Sequence, residues 1–296
     1  MQELCGQAAK ILLTLTTNWR MNCTMATLQI GVMLRPEPTA DEAMKKVKDL
    51  GLQNCQVSWG CGRYDMEDAK KLRDAADKHG VNIVTLWAMP SGRMVWNFVE
   101  GPSTIGLVPE ATRHFRTLEL QQAARIAGEI GVPSITTHLG FIPEYPGDRA
   151  YFETVHAIRS IANVCLDEGI EFWFETGQET PVTMLRTIED VGTGNLGINL
   201  DPANLLMYGK ANPIDALDVF GQHVRGVHAK DGEYPTDGTN LGSEKPMGEG
   251  RVNFPELVPK LKECGYEGVL AIEREISGPK QIEDIKRAIK ILRPLC

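Results

Sequence analysis

The chain has 296 residues, of which 42% are hydrophobic and 24% charged, a composition typical of a globular protein with one large core. Its formal net charge of -8, with no basic run to offset it, argues against a nucleic-acid partner because phosphate backbones would be repelled. No stretch reaches the roughly 20 apolar residues that a membrane-spanning helix needs, so we expect no membrane partner.

The first 26 residues differ from the regular alternation that follows them. Ile11 to Thr17 is a short apolar run, but Glu3 lies where a signal peptide would be basic, and Trp19 comes before any small-residue cleavage site. We expect residues 1–26 to form a poorly ordered N-terminal extension and residues 27–296 to form the folded domain. A start codon placed too far upstream, with Met25 just before the first strand, is the alternative explanation of this segment.

From Leu28 onward, short β-rich runs alternate with longer charged segments of helical period, which is typical of repeated βα units around a parallel sheet. The predicted strands are Leu28 to Leu34, Leu52 to Trp59, Val81 to Trp87, Ser134 to His138, Ile170 to Glu175, Leu196 to Asp201, Val224 to His228 and Val269 to Glu273. The predicted helices are Asp41 to Leu50, Met66 to His79, Thr112 to Ile130, Arg149 to Glu168, Pro181 to Val191, Pro255 to Cys264 and Pro279 to Leu292.

Five of these helices are followed by a glycine, the residue expected just past a helix C-terminus. They are Gly51, Gly80, Gly131, Gly169 and Gly265. Eight βα units with right-handed crossovers can close on themselves, so we predict an α/β fold, a parallel (β/α)8 TIM barrel in a single domain. The alternative, an open doubly wound sheet, lacks a GxGxxG motif after the first strand.

Two predicted connections are long, Ala88 to Glu110 after the third strand and Ala229 to Asn253 after the seventh. Connections longer than about 15 residues in a compact domain are usually functional or disordered. Both would lie at the C-terminal mouth of the barrel, where barrel enzymes place their active sites.

Four consecutive strands end in a side chain that can bind metal. These are Glu175 in FWFET, Asp201 in GINLDP, His228 in RGVHAKD and Glu273 in LAIERE. Residues two positions before them are mostly small or polar, whereas the opposite parity is strongly apolar, as Phe172, Phe174, Leu270 and Ile272 show. Because strand side chains alternate faces, the apolar set should pack on the helices and the four candidates should point into the barrel.

Each of the four residues also has a purely structural interpretation. Asp201 before a proline is a standard helix N-cap, Glu175 and Glu273 could be solvated loop carboxylates, and His228 could be a hydrogen-bonded core histidine. The shared strand end, parity and adjacency favour a common site. Three carboxylates and an imidazole suit one Mn, Mg or Co ion, with Zn as an alternative, and without a cation the three anions would raise one another's pKa values.

The sequence resembles the xylose-isomerase-like sugar isomerase and epimerase superfamily, which includes ketose 3-epimerases, hydroxypyruvate isomerase and inosose dehydratase. The segments that carry the resemblance are GINLDPANLLMYG, VHAKDG, PMGEGRVNFPEL and GYEGVLAIERE. It implies that Glu175, Asp201, His228 and Glu273 bind the metal. It also implies that Glu175 and Glu273 act as the acid and base that move a proton through an enediolate of a small sugar.

This chain departs from the ketose 3-epimerases near two of these residues. In those enzymes the first glutamate is followed by a proline and, six positions further on, by a second glutamate, whereas Glu175 is followed by Thr176 to Glu179. In addition, Asn204 stands where those enzymes have a histidine. Ketohexose 3-epimerisation in particular is therefore not implied. Glu179 and Asn204 are candidate substrate contacts.

Further candidate substrate contacts are His138 at the fourth strand end, Lys230 and Arg251 beside the long seventh connection, and Trp59 and Trp87 at the ends of the second and third strands. Each has a common structural alternative, namely a core histidine, a surface cation or a packed aromatic ring.

The predicted partner is therefore a small sugar, and a homodimer or homotetramer is compatible with this class. Seven scattered cysteines without a CxxC pair fit reduced thiols in a cytoplasmic protein. Alternative functions are metal-dependent dehydration of an inosose-type cyclitol ketone, apurinic-site endonuclease activity and non-catalytic sugar binding. The endonuclease is a poor match because that group uses a cluster of histidines, and this chain has six in all.

Overall fold

Eight parallel strands close into a barrel in the computed structural model, which describes residues 27–296. The expectation for residues 1–26 lies outside the described residues. The barrel strands are β1 (Gln29–Leu34), β2 (Asn54–Gly60), β3 (Asn82–Met89), β4 (Ser134–His138), β5 (Glu171–Glu175), β6 (Leu196–Leu200), β7 (Val224–Ala229) and β10 (Val269–Ile272), and β10 pairs with β1 to close the ring. A short antiparallel pair, β8 (Asp231–Gly232) and β9 (Glu244–Lys245), lies between β7 and β10 in the chain.

Helices connect the strands around the outside of the barrel. They are α1 (Ala40–Asp49), α2 (Met66–His79), α3 (Gly101–Thr104), α4 (Glu110–Glu129), α5 (Arg149–Asp167), α6 (Pro181–Val191), α7 (Pro202–Met207), α8 (Pro213–Phe220), α9 (Phe254–Glu263) and α10 (Pro279–Leu292). The five predicted terminal glycines all adopt positive φ angles, between 62° and 82°. The predicted α/β class and (β/α)8 barrel are confirmed.

The alternation of side chains along the strands separates the lumen from the outer core. The apolar parity of β5 and β6 is fully buried between the sheet and the helices, where Phe172, Phe174 and Ile198 lie. The other parity fills the lumen, as shown by Gly226, whose missing Cβ would lie only 2.4 Å from Asn199 Oδ1 and 3.0 Å from the ring of Trp173. Glycine on β7 therefore makes room for polar groups inside the barrel.

The long connection after β3 is held in place by one buried cation. Arg116 on α4 is fully buried, and its guanidinium donates to the carbonyl oxygens of Thr104 and Gly106 at 2.8 Å each. The same guanidinium donates to the carbonyl of Arg93 at 3.2 Å. This connection, which includes α3, is thus an ordered wall at the C-terminal mouth.

The long connection after β7 is organised by Asp231, whose side chain is buried. Its Oδ1 accepts hydrogen bonds from the backbone N–H groups of Gly232 and Val252, and its Oδ2 from those of Gly248 and Gly250, at 2.8 to 3.1 Å. A Cβ on Gly250 would lie 2.1 Å from Asp231 Oδ1, so a side chain cannot replace this glycine without moving the carboxylate. One carboxylate therefore joins both ends of the connection.

No helix within residues 27–296 is long and apolar enough to cross a membrane.

Candidate metal centre

Four side chains from neighbouring strand ends meet at the C-terminal mouth of the barrel. One ligand atom from each of Glu175, Asp201, His228 and Glu273 lies within 4.8 Å of the others. That spread is close to the roughly 4 Å between opposite ligands of an ion with bonds of about 2.1 Å. The structure thus brings together all four residues that the sequence predicts as ligands.

Asp201 fulfils two roles at once, one with each oxygen. Its Oδ1 accepts the N–H of Asn204 at 2.8 Å and caps α7, which is the structural interpretation of this residue. Its Oδ2 is buried, has no hydrogen-bond donor among the described residues, and lies 3.8 Å from His228 Nδ1. The N-cap and the ligand interpretations are therefore compatible.

His228 is oriented by a polar chain across the barrel lumen. Gln56 on β2 donates through Nε2 to Asn199 Oδ1 at 2.9 Å, which leaves its Oε1 as the acceptor for His228 Nε2 at 2.9 Å. The proton on Nε2 points to Gln56, so Nδ1 faces the carboxylates, 3.1 Å from Glu175 Oε1. A metal would take the Nδ1 lone pair of the neutral ring in place of a proton, as in metal sites where a second partner fixes the tautomer.

Polar groups from two other strands and a helix surround the carboxylate of Glu175. Trp87 Nε1 donates to its Oε2, while Asn204 Nδ2 donates to Oε1 at 3.2 Å. His138 Nε2 lies 3.5 Å from the same Oε1. Trp87, Asn204 and His138, all candidate substrate contacts from the sequence, thus lie beside the cluster.

The charges of the cluster shift the pKa values of its members in opposite directions. Burial and the neighbouring carboxylates raise the pKa of Asp201, although Lys230 opposes them. Burial alone would also raise the pKa of Glu273, but Lys230 and His228 outweigh it and lower that pKa. Nearby imidazoles likewise outweigh burial at Glu175 and lower its pKa. The expected rise therefore holds for Asp201 but is wrong for Glu175 and Glu273, because cationic groups lie among the anions.

Burial alone would lower the pKa of His228, but Glu175 and Glu273 reverse this and raise it well above its ordinary value. The cluster thus favours positive charge.

Two polar oxygens show that the donor set fits a divalent ion. Asp201 Oδ2 and Glu273 Oε2 are buried and lack a hydrogen-bond donor within the described part of the chain. Such groups are costly unless a cation or water completes them. Oxygen-rich sites of this kind suit Mn, Mg or Co.

Three predicted substrate contacts make no hydrogen bond to the four candidate ligands within residues 27–296. Trp59 is one residue beyond Ser58, which pairs with the inward-facing Trp87, so its ring points outward and packs on Tyr64 at 4.9 Å. Glu179 is 1% exposed, and its carboxyl oxygens have no hydrogen-bond partner among the described residues. The side chain of Arg251 is exposed on the long connection.

Gln56 and Trp96 contact His228 and His138 at the site, but the sequence analysis did not predict either as a site residue. Gln56 could have been found as the middle member of a polar inward-facing set on β2, Asn54, Gln56 and Ser58. Trp96 comes from the connection after β3, is 42% exposed, and its ring centroid lies 5.2 Å from that of His138. No sequence periodicity marks it, because that connection is irregular.

Replacing Gln56 with leucine is expected to weaken metal binding by about 10- to 100-fold, because the ring of His228 would lose the partner that fixes its tautomer. Titration of Mn²⁺ into metal-free protein, followed by calorimetry, measures this. Gln121→Leu, on α4 where the amide contacts Ser160, is the matched control. An unchanged affinity in the folded Gln56→Leu variant would contradict the assigned orientation.

Comparison with known proteins identifies the family to which this barrel belongs. The xylose isomerase-like TIM barrel family matches residues 44–295, so the chain belongs to that family. A solved xylose isomerase domain protein from Planctomyces limnophilus is 32% identical and superposes with a TM-score of 0.84, over 90% of this chain and 97% of that one. A solved D-psicose 3-epimerase, crystallised in the presence of D-fructose, is 18% identical with a TM-score of 0.68, over 90% and 99%, and shares the fold.

Two curated relatives also match. An uncharacterized protein of Methanocaldococcus jannaschii is 30% identical over 188 residues, 59% of this chain. The match spans 60% of that relative, less than two thirds of its length. A putative hydroxypyruvate isomerase of Homo sapiens is 24% identical over 246 residues, 77% of this chain and 81% of the relative.

Proposed function

We propose that this protein is a divalent-metal-dependent isomerase or epimerase that acts on a small sugar or sugar derivative. The observation that carries the proposal is the placement of two carboxylates around one point. Glu175 Oε1 lies 3.1 Å and Glu273 Oε2 3.2 Å from the same nitrogen, His228 Nδ1. The names of the human relative, a putative isomerase, and of the structural neighbour, an epimerase, support the same reaction class.

Glu175, Asp201, His228 and Glu273 would hold the ion, with Mn, Mg or Co as the expected metal and Zn as an alternative. When bound, the ion would polarise the carbonyl and hydroxyl oxygens of the sugar and stabilise the enediolate.

The two glutamates differ in access, which assigns them different roles. The side chain of Glu273 is 15% exposed and that of Glu175 only 2%. Glu273 Oε2 also lacks a hydrogen-bond donor among the described residues, whereas Trp87 and Asn204 donate to Glu175. Glu273 therefore removes the proton next to the carbonyl, and Glu175 returns one on the other face or at the next carbon.

The walls of the site suit a polyhydroxy substrate. The rings of Trp87 and Trp96 lie beside His138, with centroids 5.8 and 5.2 Å away, and offer apolar faces to the C–H groups of a sugar. The amide of Asn204 and the ammonium of Lys230 offer hydrogen bonds to hydroxyl groups. The reacting carbons would lie between these walls and the glutamates.

A sugar turned over in deuterated water is expected to acquire deuterium at a carbon next to its carbonyl, because a carboxylate exchanges its proton with solvent between removal and return. A panel of ketoses, aldoses and inososes with added Mn²⁺, analysed by NMR and mass spectrometry, measures the uptake. Uptake should stop with a chelator and resume when Mn²⁺ is restored.

Each product identifies the reaction. A stereoisomer indicates epimerisation, an aldose–ketose pair indicates isomerisation, and loss of water from an inosose indicates the dehydratase alternative. Full retention of protium next to the carbonyl, while product forms, would exclude the proton-transfer mechanism.

A further inference from the structure

Lys230 places an ammonium group inside the cluster that would bind the metal. It follows β7, two residues after His228, and its side chain is only 2% exposed. Its Nζ lies 3.5 Å from Asp201 Oδ2 and 3.4 Å from Glu273 Oε2. Within the cluster of four candidate ligands, these two buried oxygens lack a hydrogen-bond donor among residues 27–296.

The same two oxygens are therefore shared by two cations, the Lys230 ammonium and the proposed divalent ion. A divalent ion bound to Asp201 and Glu273 would lie within a few ångströms of the Lys230 ammonium. Like charges at such distances repel strongly where burial excludes water. With a neutral imidazole, the three ligand carboxylates are balanced by one divalent ion together with one ammonium, so the full set is electrically neutral.

A second partner keeps Lys230 in place when the inner oxygens are taken. Glu275 Oε1 accepts from its Nζ at 2.7 Å, and the side chain of Glu275 is 54% exposed at the rim of the barrel. The N–H of Glu275 is in turn fixed by Glu244 Oε1 at 3.0 Å, on strand β9. The ammonium thus has an inner pair of partners shared with the metal and a rim partner of its own.

We propose that Lys230 competes with the divalent ion for Asp201 and Glu273 and so keeps the metal exchangeable rather than permanently bound. This inference rests on the proposed metal site. It assigns Lys230 as a positioning residue that sets metal affinity, in addition to its place near the substrate.

The test is the dissociation constant for Mn²⁺, measured by calorimetry on protein stripped with a chelator. Lys230→Met removes the charge and keeps most of the volume, so it should bind Mn²⁺ at least tenfold more tightly than the unaltered protein. Lys230→Arg keeps the charge and should change the affinity by less than about threefold. Lys245→Met, a nearby cation that pairs with Glu233 at 3.1 Å, is the matched control and should leave the affinity unchanged.

A second variant tests the opposite direction and does not depend on the folding of Lys230→Met. Glu275→Gln removes the rim partner, so the ammonium should interact more strongly with Asp201 and Glu273 and Mn²⁺ should bind several-fold more weakly. Equal or weaker Mn²⁺ binding by Lys230→Met, or unchanged binding by Glu275→Gln, would overturn the inference while leaving the metal site intact. Absence of Mn²⁺ binding by the unaltered protein would overturn the metal site and the inference together.

Discussion

Glu273→Gln is expected to lower kcat by roughly 10²- to 10⁴-fold, because glutamine cannot accept the proton next to the carbonyl. Glu175→Gln should have an effect of similar size, since the second glutamate must return a proton. The amide oxygen can still bind an ion, so saturating Mn²⁺ should restore metal binding without restoring turnover. Steady-state kinetics at several Mn²⁺ concentrations, with calorimetric Mn²⁺ titrations, separates the two functions of each carboxylate.

Glu171→Gln is the matched control for these variants. Glu171 begins the strand that Glu175 ends, and its carboxylate accepts from Trp173 Nε1 at 2.6 Å near the opposite mouth of the barrel. We expect it to keep the rate of the unaltered protein. Undiminished turnover by Glu273→Gln would remove Glu273 from the reaction, and recovery of kcat at high Mn²⁺ would reduce it to a metal ligand.

Glu179→Gln is expected to stabilise the protein at pH 8 but not at pH 4. Burial raises the pKa of the Glu179 carboxyl to about 8, from an ordinary value of 4.5. Between these two values the unfolded chain releases the proton while the folded chain retains it, so stability falls as the pH rises. The total loss is on the order of a few kcal/mol and is complete above pH 8, where both states are ionised.

Urea unfolding of metal-free protein at intervals from pH 4 to pH 8.5 measures this difference. The free energy of unfolding of Glu179→Gln should exceed that of the unaltered protein by an amount that grows with pH. Glu189→Gln, an exposed glutamate on α6, is the control and should follow the unaltered protein. Parallel curves for Glu179→Gln and the unaltered protein would show that the Glu179 carboxyl is hydrated in solution.

The barrel itself is predictable because each βα unit carries a local signal. The predicted bounds of β4 coincide with the observed strand, Ser134–His138, since β-branched residues and flanking breaks define it. In contrast, the N-cap interpretation of Asp201 anticipates only the start of α7 (Pro202–Met207), because six residues are too few to show a helical period. The boundaries that matter most for the site, the strand ends, are the ones that the sequence locates well.

The candidate ligands are predictable for the same reason, since strand end and parity together fix where a side chain points. The contact of Gln56 with His228 is not predictable from one strand, because β2 and β7 are not neighbours in the sheet and meet only across the closed lumen. The prediction of Trp59 as a substrate contact is wrong for a related reason. A shift of one residue relative to Ser58 reverses the face of the sheet, and a strand end alone does not fix that parity.

The Asp231 carboxylate binds its connection solely through main-chain N–H groups at the two ends. These hydrogen bonds therefore do not depend on the side chains that lie between the two ends. The side chains of the tip, residues 234–241, can therefore be replaced while the frame, meaning the ends of the connection bound by Asp231, keeps its position at the mouth. A preassembled frame also spares an incoming molecule the entropic cost of ordering that part of the wall. Mutations confined to the tip are therefore expected to leave both this frame and the four candidate ligands in place.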